Sequence, residues 1–167
     1  MRVVGFSLVM AILSSAALAQ SNGAPSAQSM KTFASSADVQ ALIAKAKRER
    51  KEGQPNYSQP IISLAPYTAS LEYRASVGPA AVHEKEAEMF YVVDGSATLV
   101  TGGKLTKESR TNAENLTGTG IEGGTAQDVA KGDFFIVPEN TPHWFSPING
   151  VLIVMSFHVP RPVPAAH

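Results

Sequence analysis

Three residues carry chemistry that requires them to meet. His83 and Glu88 stand in Gly78-Pro-Ala-Ala-Val-His83-Glu-Lys-Glu-Ala-Glu88-Met-Phe-Tyr-Val-Val-Asp-Gly95, with four residues between them. His143 stands in a second stretch, Gly132-Asp-Phe-Phe-Ile-Val-Pro138-Glu-Asn140-Thr-Pro-His143-Trp-Phe145. Two imidazoles and a carboxylate offer nitrogen and oxygen donors suited to a divalent metal ion.

Such a site needs strands that aim the donors inward. Residues two apart share a face of a strand, so His83 shares its face with Ala81, and Glu88 with Phe90 and Val92. A turn over Glu84 to Ala87 separates His83 from Glu88, and Gly95 is expected to turn a hairpin. In the second stretch Gly132 starts a strand, Pro138 ends it, and His143 opens the next with Phe145 on its side. Two hairpins stacked in one barrel would bring His83, Glu88 and His143 together.

The surrounding chain supplies those strands. Segments of strand composition at Ile61 to Ala65, Thr68 to Ser76, Ala80 to His83, Met89 to Val93, Ala97 to Thr101, Phe134 to Val137 and Val151 to Phe157 are separated by Gly, Pro and Asp-Gly turns. Many short strands without intervening helices predict an antiparallel sandwich or barrel over residues 60–160. Residues 103–131 are polar and glycine-rich and read as a long insertion, either a lid over the barrel mouth or a surface loop. Ahead of the strands, Ser36 and Asp38 offer N-cap oxygens to Val39, Leu42, Ile43 and Ala46, which predicts one amphipathic helix over 36–53 packed on the outside of the barrel.

The chain of 167 residues suits one such domain. Its 14 basic and 14 acidic residues balance, so no large field points to a nucleic-acid partner. The basic run Lys45 to Lys51 reads as a solvated helix face. No cysteine is present, so no disulfide supports the fold. Arg2, the apolar Val3 to Leu13 and the small-residue Ala17-Leu18-Ala19 predict a signal peptide over 1–19, cleaved after Ala19, and a periplasmic or secreted product. That apolar run is too short for a permanent membrane anchor. Residues 20–35 read as a disordered N-terminus and 161–167 as a C-terminal tail.

Both chemistry-bearing stretches resemble the paired motifs of the cupin superfamily. The first family motif has a Gly, two His separated by one residue, a Glu, six residues and a Gly; this chain matches at His83, Glu88 and Gly95, with Ala81 where the first His belongs. The second matches at Gly132, Pro138 and His143, with Asn140 for the usual Gly and Pro147 for the usual Asn. The resemblance implies an all-β, antiparallel double-stranded β-helix or jelly-roll barrel. It implies a three-ligand site for Fe, Mn, Zn or Ni at His83, Glu88 and His143 in place of the usual four-ligand one. That set is used by non-haem iron(II) oxygenases and also suits Zn²⁺ or Mn²⁺ sites with a bound water.

Other residues invite blander readings. Glu84 and Glu86 read as solvated turn carboxylates with a secondary chance to reach the site. His158 reads as a structural residue or a proton shuttle at the mouth. Tyr73 reads as core, with a rival role as a proton donor inside the barrel. Trp144 should pack between sheets or at a dimer contact, Tyr91 should face outward, and His167 should be solvated. Asn115-Leu-Thr117 matches a glycosylation pattern that matters only in a eukaryotic secretory pathway. No nucleophile elbow or phosphate-cradling loop is present.

The expectation is a periplasmic or secreted barrel that binds a divalent metal and a small organic ligand, with dioxygenase, isomerase or lyase chemistry open. The alternative is a non-catalytic barrel for a sugar or aromatic acid with a degenerate metal site. A homodimer is compatible with either, because edges of a small barrel are often covered by a partner.

Overall fold

Two long strands that change their buried face midway build the core. The computed structural model describes residues 30–161. The expected signal peptide, most of the expected 20–35 segment and His167 lie outside the described residues. Within them the chain runs α1 (Ser36–Glu49), β1 (Asn56–Leu64), β2 (Tyr67–Arg74), β3 (Ala80–His83), β4 (Glu86–Thr101), β5 (Lys104–Thr106), β6 (Ser109–Arg110), β7 (Asn115–Gly118), β8 (Gly120–Glu122), β9 (Thr125–Ala130), β10 (Phe134–Val137) and β11 (His143–Pro160). Strand pairing is antiparallel throughout. This is the all-β jelly-roll architecture expected from the sequence.

β4 buries Glu88, Phe90 and Val92 in its first half and Ala97 and Leu99 in its second. The inward parity flips at Asp94-Gly95. β11, its partner along the whole length, buries His143 and Phe145, then Leu152, Val154 and Ser156, and the paired register shifts between Phe145 and Val154. A one-residue irregularity bends a strand and resets its alternation, so each strand keeps its apolar side inward as it curves round the barrel. Gly95 therefore does not turn a hairpin. Its φ of 86° lies in the left-handed region, and a Cβ there would sit 1.9 Å from the Val151 carbonyl oxygen.

The reading of residues 103–131 as a long insertion, lid or surface loop, is also corrected. Most of residues 103–131 is strand: β7 pairs with β3, and β9 pairs with β4 and contributes Val129 to the core. Gly103, Gly118, Gly120 and Gly124, among the glycines that suggested a loop, serve close packing instead. Gly120, for example, lies under Trp144, where a Cβ would come within 3.3 Å of the indole.

Inside the barrel, Phe90, Val92, Leu99, Val129, Val137, Phe145, Leu152 and Val154 form one core. Outside it, Val39 and Ile43 of α1 pack on Ile61, Leu71 and Ile153. The helix starts at Ser36, and its N-cap is Ser35 rather than Ser36. Ser35 Oγ accepts from Asp38 N at 3.1 Å, and Asp38 Oδ2 accepts from Ser35 N at 2.8 Å, a reciprocal capping box. It ends at Arg50, whose extended backbone stops the helix short of Gly53. Lys31, within the segment expected to be disordered, exchanges backbone hydrogen bonds with Ser63. Tyr73 packs in the helix-side cluster, which removes it from the barrel interior. Tyr91 faces outward as expected, at 40% exposure.

Candidate metal centre

The site assembles where β3 ends, β4 begins and the two ends of β11 pass by. Backbone register sets the approach: His143 lies opposite Ala81, His158 opposite Glu88, and His83 opposite Asn115. The turn before β11 is tied to β3 by a 2.7 Å hydrogen bond from Asn140 N to the His83 carbonyl. Asn140 has φ 56°, a conformation that Asn tolerates better than most residues, which is why it can stand where the family motif has Gly.

His83, Glu88 and His143 do converge. His83 Nε2 lies 3.2 Å and His143 Nε2 3.1 Å from the same oxygen, Glu88 Oε2. The Glu88 side chain is 4% exposed and that of His143 is 5% exposed. Below them Phe90 packs with Phe135 and Phe145, with its ring centroid 6.2 Å from that of His143. This aromatic floor keeps water from the inner side, where electrostatic interactions are strongest.

Each ring is held from behind. His83 Nδ1 lies 2.6 Å from Asn115 Oδ1, and the orientation of that amide is fixed because Asn115 Nδ2 donates to Asn112 Oδ1 at 2.9 Å. His143 Nδ1 lies 3.2 Å from the Thr141 carbonyl. An acceptor at Nδ1 keeps the hydrogen there and turns Nε2 inward, the arrangement that orients metal-ligating histidines.

Two more polar groups enter: Ser156, which sequence reasoning did not single out, and His158, which it read as a structural residue or a proton shuttle at the mouth. Ser156 Oγ donates to Glu88 Oε1. His158 comes within 3.5 Å of Glu88 Oε1 through Nε2, while its Nδ1 lies 3.0 Å from Glu86 Oε2. The coordinating atoms of His83, Glu88 and His158 all lie within 4.8 Å of one another. Glu86 is thus engaged at the site rather than solvated, and Glu84 is paired with Arg110 at 2.7 Å. The signal that could have found Ser156 beside His158 is a pair of polar residues two apart in an otherwise apolar stretch of strand. Asn115 carried no signal beyond the glycosylation pattern, because its role depends on β7 pairing with β3.

The charges follow the geometry. Burial alone would raise the Glu88 carboxyl, but hydrogen bonds from His143 and His83, with the His143 charge and Ser156, hold it far below its ordinary range. Burial works to lower the His83 imidazole, and is outweighed by the Glu88 hydrogen bond and charge and by Asn115, so its pKa is raised. A proton on Nε2 is what lets His83 bond to Glu88, and a divalent cation facing the same carboxylate would displace it. The donor set, two inward nitrogens on one buried carboxylate, fits such an ion.

Access is from one side. The side chains of His83 and His158 are 20% and 23% exposed. Beside His158 lies a cavity of about 250 Å³ lined largely by apolar residues, among them Tyr67, Met89, Phe134 and Phe157. Trp144 donates from Nε1 to the Gly78 carbonyl at 2.8 Å and packs over Gly120, away from the ligands.

Among known folds, the chain is similar to KdgF from Halomonas sp. at 16% identity, covering 68% of this chain and 86% of that one, with a TM-score of 0.49. It is similar to the cupin domain of Schizosaccharomyces pombe Cnp3 at 12% identity, covering 68% and 71%, with a TM-score of 0.49. An iron(II) form of HppE matches at 13% identity and a TM-score of 0.49, covering 64% of this chain and 52% of its own length. No protein of curated function matches the sequence significantly. The sequence model of the family described as Cupin matches residues 62–163. That stretch is more than half of the chain and contains His83, Glu88 and His143, and the protein therefore belongs to the cupin family.

Proposed function

We propose that this protein binds one divalent metal ion through His83, Glu88 and His143 and presents it to a small organic molecule entering beside His83 and His158. The observation that supports this most is the approach of two imidazole Nε2 atoms to one buried carboxylate oxygen, each ring braced at Nδ1. A bound ion of this kind supplies Lewis acidity or a dioxygen-binding centre. The chain's own residues orient the donors, exclude water from below and leave one open side. Dioxygenation, isomerisation and lyase chemistry all use such a centre, with Fe, Mn, Zn or Ni as candidates.

Metal analysis tests the proposal. Purified protein reconstituted with each ion should retain about one equivalent, and His143→Ala should lose most of it. Unchanged metal content in folded His143→Ala would show that the ligand assignment is wrong. A second reading, favoured by Ala81 in place of a motif histidine, is a non-catalytic barrel that holds a sugar or aromatic acid. Retention below about a tenth of an equivalent after reconstitution would favour it.

The proposal extends to location and assembly. The sequence of the first 19 residues supports export with cleavage after Ala19. The exposed Phe134 and Ile136 of β10, at 59% and 57%, lie beside Tyr91 on an outer sheet face. Among the described residues β10 pairs only with β4, and a second copy of the chain is the proposed cover for this edge.

A further inference from the structure

We infer that His158 supplies a third imidazole to the metal centre, in place of the family histidine that Ala81 replaces. The inference rests on the proposed metal function and adds a ligand to it. Ala81 offers only a methyl group, on β3 opposite His143. On the other side of Glu88, β11 returns and sets His158 directly opposite Glu88 in register. His83 and His143 address Glu88 Oε2, and His158 Nε2 faces the second oxygen, Oε1, at 3.5 Å. Its ring stands edge-on to His83, with centroids 4.9 Å apart.

The bracing repeats the pattern of the other two rings. Glu86 Oε2 holds His158 Nδ1 at 3.0 Å, and a carboxylate behind a histidine fixes its tautomer and raises its basicity as a ligand. A simple surface ion pair between His158 and Glu86 would not require Nε2 to point at a buried carboxylate. The coordinating atoms of His83, Glu88 and His158 already lie within 4.8 Å of one another, a span that an ion at ordinary metal–nitrogen and metal–oxygen distances of about 2.0–2.2 Å can bridge after small side-chain adjustment. Glu86 is then a positioning residue, acting through His158. The site becomes three imidazoles and one carboxylate, the donor count that the motif alone lacks, with one imidazole moved to the last strand.

Cobalt(II) alone is the probe. The parent protein, His158→Ala, His158→Gln and His143→Ala are titrated with Co²⁺ and followed by calorimetry and visible absorption, with thermal melts confirming that each is folded. The expected result is about one Co²⁺ per parent chain and a Kd at least about tenfold weaker in both His158 variants, with an altered visible spectrum. A folded His158 variant with the parent's Kd and spectrum overturns the inference and leaves the proposed function standing if His143→Ala still loses the ion. A parent that takes up no Co²⁺ overturns the proposed function and this inference with it. A readout independent of the variants is the proton NMR spectrum of the Co²⁺-loaded parent. Three exchangeable, hyperfine-shifted imidazole N–H signals are expected, and two would overturn the role of His158.

Discussion

At the scale of single residues, Glu88 and His83 make metal-free protein sensitive to pH in opposite directions. Glu88 is held below its ordinary value of 4.5, so its contribution to stability is present above that pH and is lost as pH falls. His83 is raised above its ordinary value of 6.5, so its contribution is complete below that pH and is lost as pH rises through the folded value. In the presence of a chelator, the thermal midpoint should therefore be highest between about pH 4.5 and 6.5 and decline toward about pH 8. Calorimetric scans across that range check it, and a midpoint that climbs steadily to pH 8 would contradict the assignment. The approach of His83 and His143 to Glu88 was legible because the motif spacing sets all three on strands that one barrel brings together. Asn115, Ser156 and Glu86 were not, because each acts through a neighbour in space that only strand pairing reveals.

At the scale of elements, the sequence marked strand segments well and their continuity poorly. Ala80 to His83 and Phe134 to Val137 were read with the bounds they have. Met89 to Val93 and Ala97 to Thr101 were separated, because Asp-Gly between apolar runs is a strong hairpin signal. Here the glycine serves a close crossing instead: β4 passes β11 where any side chain would meet the Val151 carbonyl. Gly132 offers the contrast, with φ 94° and nothing within 4 Å of a built Cβ. Gly132→Ala should cost about 1–2 kcal/mol through backbone strain. Gly95→Ala adds a backbone collision and should cost about 3 kcal/mol or more, or prevent folding. Urea midpoints of the two variants check the ranking; equal midpoints would mean that β4 relaxes away from β11 at little cost. The glycine-rich stretch 103–131 misled in the same way, since glycines that permit strands to touch look like glycines that loosen a loop.

At the scale of the whole molecule, the exposed face of β10 and the proposed leader give one joint prediction about mass. Protein recovered from the secreted or periplasmic fraction should have, under native conditions, twice the mass of a chain that starts at Gln20. A single-chain mass would remove the homodimer, and a product still starting at Met1 would remove the cleavage. Fold class was legible because the run of short, turn-separated strand segments and the two motifs agreed. Which partner strands meet was not, because pairing between β11 and both β2 and β4 depends on contacts far apart in sequence. That last strand carries His143 at its start and His158 near its end, with its inward parity reset between them. Deleting one residue from 154–157 would turn His158 toward the outer face and leave His143 in place, because a one-residue slip inverts every side chain beyond it. The length of this segment is therefore constrained as tightly as its composition, and an otherwise harmless codon loss there would dismantle one wall of the cup.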